Sequence, residues 1–303
     1  MTTSTPTSRI DGQGLAAAAT AFLIWGLLPV YLKQLHGVSA LQVTAHRLLW
    51  GCAVALIWLG VRRELPHVFA ALANPKILMR LLISAALISV NWLTYIWAID
   101  TDRIIDASLG YFINPLVNVV LGVVVLRERL NRAQWTAVAI AALGVSYLTW
   151  SAGQLPWIAL ILAFSFGIYG LVRKTAHVDA LPGFAGETLL LTPFGLGYLL
   201  WCESAGIGAF AHAGLRMDLL LMLGGPLTAL PLVLFAFGAR RIPLSTVGLL
   251  QYIGPTLQLL LGVLVYGEPF GATRAVGFVL IWSALLIYAV DGVWRSRKTA
   301  AIA

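Results

Sequence analysis

Residues 113–128 read INPLVNVVLGVVVLRE and residues 253–268 read IGPTLQLLLGVLVYGE. At this offset of 140, seven of sixteen positions are identical, among them Pro115 and Pro255, Gly122 and Gly262, and Glu128 and Glu268. Two apolar stretches share Leu and Val by chance, but a coincident Pro, Gly and Glu needs another explanation. The chain holds an internal repeat, and its period governs how everything around it is read.

Both copies sit inside long apolar runs. Of the 303 residues 60% are hydrophobic and 11% charged, with a mean hydropathy of +0.88. That excess over what a soluble core needs marks an integral membrane protein, and it excludes soluble globular, disordered, collagen-like and disulfide-rich classes. Cys52 and Cys202 lie within apolar stretches and read as small buried hydrophobes. A bilayer core of about 30 Å takes about 20 helical residues. Ten runs qualify: 15–33, 40–61, 77–98, 104–126, 133–150, 156–172, 182–201, 216–237, 243–266 and 272–293. The first extends past Trp25-Gly26 to Lys33, so it reads as a retained helix and not a signal peptide.

The net charge of +8 is laid out as topology and not as a nucleic-acid face. With the N-terminus inside, fifteen Lys and Arg residues fall in inner segments (Arg9, Arg62, Arg63, Lys76, Arg80, Arg127, Arg129, Arg132, Arg173, Lys174, Arg240, Arg241, Arg295, Arg297, Lys298) and four in outer ones (Lys33, Arg103, Arg216, Arg274). A missed or extra helix would scramble that bias. Ten spans with both termini cytoplasmic follow. Trp50, Trp58, Trp135, Trp150, Trp157, Trp201 and Trp294 near run ends match an aromatic belt.

Five helices per copy make the second copy enter the membrane from the opposite side. The expected fold is all-α, ten transmembrane helices as two inverted five-helix repeats, residues 1–150 and 151–303. Inverted repeats are the architecture of alternating-access carriers, with the substrate site at the midplane between the halves.

Within the runs, ionisable side chains cost about 2.5–3.5 kcal/mol each on insertion scales. Arg47, beside His46, lies in the second run and Glu187 in the seventh, and they correspond under the 140 offset. They are expected toward the outer and inner halves respectively, lining a central cavity. The alternatives are a snorkelling Arg47 and a Glu187 that faces the inner vestibule. Pro115 and Pro255 each leave a carbonyl free one turn earlier, at Tyr111 and Gln251, so a helix interruption is expected at equivalent places in both halves. Tyr111, Asn114 and Asn118 share one helical face; Gln251, Pro255 and Gln258 do likewise; Asn91 and Tyr95 are one turn apart. These amides serve either substrate or interhelical hydrogen bonding. Trp25 and Tyr169 either stack on a planar ligand or pack the interior. Gly26, Gly122, Gly170 and Gly262 are expected at close helix approaches, and Glu128 and Glu268 as caps of a neighbouring helix N-terminus.

Several segments resemble the EamA group of the drug/metabolite transporter superfamily, and within it the RarD-like permeases. They are Phe22-Leu23-Ile24-Trp25-Gly26, His46-Arg47, Asn91-Trp92, residues 108–118 (SLGYFINPLVN), residues 169–174 (YGLVRK), residues 251–257 (QYIGPTL) and Gly267-Glu268. The likeness spans nearly the whole chain. It implies a permease of the bacterial inner membrane that moves small metabolites or drug-like molecules, often outward, and it adds Tyr252 to the substrate-binding or gating set. Gly254 stands where the first half has Asn114, so a strictly twofold site is not implied.

The implied partners are a small-molecule substrate and the lipid bilayer, with no nucleic acid, cofactor or metal; a homodimer is allowed but not required. No HExxH, GxSxG or His/Cys cluster at ligand spacing argues for an enzyme. A passive channel and a non-transporting scaffold or receptor are the competing readings.

Overall fold

The computed structural model describes residues 11–126, 131–153, 155–176, 178–239, 241–242 and 250–302. Glu128 and the side chains of Pro115, Asn118, Gly122 and Trp294 lie outside the described residues. The helices are α1 (Gly12–Lys33), α2 (Ala40–Val61), α3 (Leu65–Ala73), α4 (Pro75–Asp100), α5 (Ile104–Leu126), α6 (Arg132–Ala152), α7 (Trp157–Thr175), α8 (Ala180–Ser204), α9 (Leu215–Ala239), α10 (Ile253–Leu260, continued by a π-helical turn Leu261–Val265) and α11 (Ala272–Ile302). Among the described residues there is no strand.

Local chemistry sets where they start. Asp11 accepts from the amide of Gln13, Ser39 from Gln42, and Asn74 from Lys76 and Ile77 with Pro75 in the first turn. Asn131 and Gln134 form a capping box at α6, and Gly153, at φ 65°, closes that helix. Neighbouring α5 borrows its cap: the Glu268 carboxylate accepts from the amides of Ile104 (2.6 Å) and Ile105 (3.0 Å), as expected for this glutamate.

By length and apolar character α1, α2, α4, α9 through Phe235 and α11 through Asp291 are long enough to cross a bilayer, and Trp157–Arg173 and Ile253–Val265 are shorter apolar segments. Val61, Ile57, Trp150, Phe194 and Leu264 stand at least two-thirds exposed. A surface this greasy belongs in lipid. Trp58, Trp135, Trp150, Trp157 and Trp201 are also exposed, as a belt needs.

One element lies outside the ten runs, and one expectation needs correction. The break between the second and third runs contains α3, nine residues with Val68 and Ala71 buried and Phe69 exposed. At about 14 Å it is too short to span. The interruption expected in both halves occurs in one: α5 continues through position 115, whereas Gln251-Tyr252 form a turn before α10 and Pro255 is that helix's third residue. There its missing N–H falls among donors a first turn leaves unpaired anyway.

The junctions α1/α2, α4/α5, α6/α7, α8/α9 and α10/α11 gather at one end. Lys33 pairs with Asp102 and sits over the Tyr266 ring, Arg216 donates to Gln34, Trp97 packs on Trp157, and Glu268 reaches α5. At the other end Arg241 pairs with Asp11, and Asn131 donates to Asp291. Helix packing follows a pattern: α1 lies on α9 and α10 as α7 lies on α4 and α5, α2 contacts α9 as α8 contacts α4, and α2–α8, α5–α10 and α6–α11 pair directly. The starts of α2 and α8, α4 and α9, and α6 and α11 are each 140 residues apart.

Lipid tails are as apolar as leucine, so helices associate through close contact where small residues permit it. A Cβ on Gly26 would stand 2.9 Å from Leu257 Cβ and 3.2 Å from Gly254 Cα, and one on Gly262 would stand 3.0 Å from Ile105. Gly170, expected in the same role, faces open space. Gly26→Ala should therefore cost about 1–3 kcal/mol through overpacking, seen as a lower Tm in detergent. Gly170→Ala should leave Tm unchanged or raise it slightly.

Candidate functional site

α4 is the ruler of the interior. It packs against α2, α7 and α8, and it carries Ser84 and Trp92, eight residues or about 12 Å apart along its axis. Each marks one buried charge. Ser84 meets Glu187 and Trp92 meets Arg47, so the charges flank the middle of α4 at two levels.

Glu187, 1% exposed, is fully engaged. Its Oε1 accepts from Ser84 Oγ at 2.5 Å and lies 3.4 Å from Arg173 Nε; its Oε2 accepts from Tyr169 OH at 3.3 Å. Arg173 also donates to the carbonyls of Asp179 and Ala180, and its guanidinium lies directly against Gly183 in the first turn of α8. A Cβ there would occupy the guanidinium's place, so the arginine would have to swing away from it.

Arg47, 4% exposed, has a different environment. Its Nε donates to Thr228 Oγ1 at 3.2 Å, and the Thr228 hydroxyl in turn donates to Gly224 O at 2.7 Å. Its guanidinium carbon is 5.3 Å from the Trp92 ring centre. Tyr31, Tyr95 and Tyr111 are its electrostatic neighbours. Nη1 is buried without a hydrogen-bond partner, and among the described residues no carboxylate forms an ion pair with it. Arg47 and Glu187 do not pair with each other.

Aromatic rings join the two levels. Tyr95 and Tyr111 meet edge to face at 5.6 Å, as do Tyr111 and Phe166 at 6.3 Å, and Phe166 and Tyr169 are tilted at 5.9 Å. Asn91 ties α4 to α7, donating to Leu162 O at 3.0 Å and Ser165 Oγ at 2.9 Å, while its Oδ1 accepts from Tyr111 OH at 3.5 Å. The interhelical role of this amide is thus explicit. Tyr95 OH, Asn114 Oδ1 and Gln258 Oε1 are buried without partners, although Gln258 Nε2 donates to Trp25 O at 3.2 Å.

The other expected residues are elsewhere. His46 turns away from Arg47 and packs on Phe210 at 5.4 Å, as neighbours about 100° apart on a helix must. Tyr252 stacks on Phe112 at 6.5 Å, and Gln251 is half-buried in its turn. Trp25 packs between Phe22 and Phe235, the interior role. Ser84, Thr228, Tyr31 and Arg173 were not anticipated at the site. Only Arg173 had a signal: it follows Tyr169 by four residues, on the same face of α7. Among the described residues no group of three His, Cys, Asp or Glu side chains is placed to hold a metal ion.

The profile of the EamA-like transporter family matches residues 12–150. An "Uncharacterized transporter" of Vibrio cholerae is 43% identical over 289 residues, covering 95% of this chain and 96% of that protein. The chain belongs to the EamA-like transporter family. "Protein RarD" of Salmonella typhi is 44% identical over 94% of this chain and 97% of its own length. A solved crystal structure superposes with a TM-score of 0.58 at 21% identity, covering 91% of this chain and 96% of that one; this likeness is one of fold. The protein is a multi-pass membrane protein of bacterial type.

The Gly183 contact gives a test of the Glu187 level. Gly183→Ala should dislodge Arg173 and mimic Arg173→Gln, the two variants sharing one change in Tm relative to wild type. The double variant should fall no further, because both remove the same contact.

Proposed function

We propose that the protein is an alternating-access carrier of small metabolites or drug-like molecules, an exporter in the bacterial inner membrane. Its ten spans form two inverted five-helix repeats, residues 1–150 and 151–303. The observation that supports this reading is the exchange pattern of the largest packing contacts: α1 on α9 and α10, and α2 on α9, have counterparts in α7 on α4 and α5, and α8 on α4, when α1, α2, α4 and α5 are exchanged for α7, α8, α9 and α10. Two halves that pack on each other interchangeably can trade conformations at little cost in energy, which is what opening to either face requires.

In this reading the midplane chamber is bounded by Asn91, Tyr95, Tyr111 and Asn114, with Gln258 on the opposite half, and by the charged levels above and below. The Glu187–Arg173–Ser84–Tyr169 cluster serves as the latch at one end, tying α7, α8 and α4. Breaking it lets α8 leave α4. The outward direction and the drug-like cargo rest on the resemblance and on relatives such as the "Chloramphenicol-sensitive protein RarD" of Pseudomonas aeruginosa, 34% identical.

Counterflow in proteoliposomes tests the reading. A carrier gives saturable, trans-stimulated exchange; linear flux would indicate a channel, and none a scaffold. Glu187→Gln should slow exchange by roughly tenfold, equivalent to about 1.4 kcal/mol on the transition, with little change in substrate affinity.

Both termini are assigned to the cytoplasm, on the fifteen-to-four charge bias and on the Asp11–Arg241 and Asn131–Asp291 contacts that bring both chain ends to one side. In right-side-out vesicles Ser8→Cys and Ser296→Cys should both resist an impermeant maleimide and react after lysis. Labelling of either one alone would overturn the even span count.

A further inference from the structure

Three charged side chains are buried among the described residues: Arg47, Glu187 and Glu268. Two are compensated. Glu187 has Arg173 and two hydroxyl donors, and Glu268 accepts two amide protons at a helix N-terminus. Arg47 has one neutral hydroxyl, one tryptophan face and an unpartnered Nη1.

An ion taken out of water loses its hydration shell, and here one hydroxyl acceptor and one aromatic face stand in its place, with no opposite charge among the described residues. The uncompensated positive charge lies over the Trp92 ring and has Tyr31, Tyr95 and Tyr111 as its electrostatic neighbours. Tyr95 OH, also buried and unpartnered, adds a second donor on the same side of α4.

We propose that Arg47 anchors a site for a small organic monocarboxylate with an apolar, ring-bearing body, the carboxylate binding Nη1 and the body lying among Trp92, Tyr95 and Tyr111. A planar carboxylate matches a guanidinium edge, and one negative charge neutralises one positive. A dianion such as phosphate would leave the site overcharged, and a bare halide would leave the aromatic walls unfilled. This assignment rests on the carrier reading for its use but not for its measurement.

The test is equilibrium dialysis of radiolabelled phenylacetate against purified full-length protein at millimolar ligand. 2-Phenylethanol, 2-phenylethylamine, chloride and inorganic phosphate are the competitors. Saturable binding displaced by unlabelled phenylacetate but by none of these four is expected. Arg47→Gln should weaken it at least tenfold, Arg47→Lys less, and Trp92→Leu a few-fold. Removing the uncompensated charge should also raise the Tm of ligand-free Arg47→Gln above wild type, while phenylacetate raises the Tm of wild type alone. If Arg47→Gln does not fold, discrimination of acid from alcohol and amine by the wild type decides the matter.

Absence of phenylacetate binding overturns the proposal, as does equal competition by the alcohol, the amine, chloride or phosphate, or unchanged binding by folded Arg47→Gln. Carboxylate binding without counterflow would uphold this site and remove the carrier reading. Counterflow of a cation without carboxylate binding would do the reverse.

Discussion

Hydrocarbon gives two apolar helices no reason to prefer each other over lipid, so the interior of this bundle is decided by what lipid cannot accommodate: bare backbone contacts and buried charge. Glycine at Gly26, Gly110 and Gly262 brings helices to contact distance, and at Gly110 an added Cβ would stand 2.8 Å from the Ala159 carbonyl. The polar ties then select which helices meet. Asn91 fixes α4 to α7, Gln258 fixes α10 to α1, and Glu268 fixes the loop after α10 to the start of α5. Each joins segments far apart in sequence.

The same constraint explains why the charges sit where they do. A carboxylate in the interior needs its donors from several helices at once, and Glu187 draws on α4 through Ser84 and on α7 through Tyr169 and Arg173. Arg47 draws on α9 and α4 through Thr228 and Trp92. Because α4 passes both, a shift of that helix changes both environments together. Coupling between the two levels would need α4 to have two arrangements that both charges bias.

Most element limits were legible because the bilayer imposes them: α2 spans Ala40–Val61 and α5 Ile104–Leu126, the limits of their apolar runs, and most others differ by a few residues, but α11 runs nine residues past its run to Ile302 and the run 243–266 is cut by the Gln251-Tyr252 turn. What lies outside that rule was not legible. α3 is shorter than any span and hides in a charged break. Pro115 does not end α5, because hydropathy does not register whether neighbouring helices support a proline. Gly170 shares its residue type with Gly26 but not its neighbour. At the site, cost flagged Arg47 and Glu187 correctly as buried, since no cheap position exists for them. Their partners were invisible, because Ser84 and Thr228 are ordinary hydroxyls and Arg173 was counted with the loop charges. Adjacency misassigned His46, which a helix turns away from its neighbour.

The two proposed halves differ in chemistry at the position where Arg47 and Glu187 correspond, and that inequality has a direction. At the Glu187 level the counter-charge is built into the chain; at the Arg47 level no described residue supplies one. If both levels were compensated, the bundle could rearrange empty and the two faces would exchange without cargo. If neither were, the fold would carry two uncompensated charges. On the proposed carrier reading, one compensated and one uncompensated level would leave the empty protein biased toward whichever arrangement best tolerates Arg47, and an anion that neutralises it would remove that bias. Differential affinity for the two arrangements is the only lever by which a ligand moves such an equilibrium, and here the largest available differential is electrostatic. The symmetry of the helices would make the exchange possible, and the asymmetry of two residues at one repeat position would make it depend on cargo.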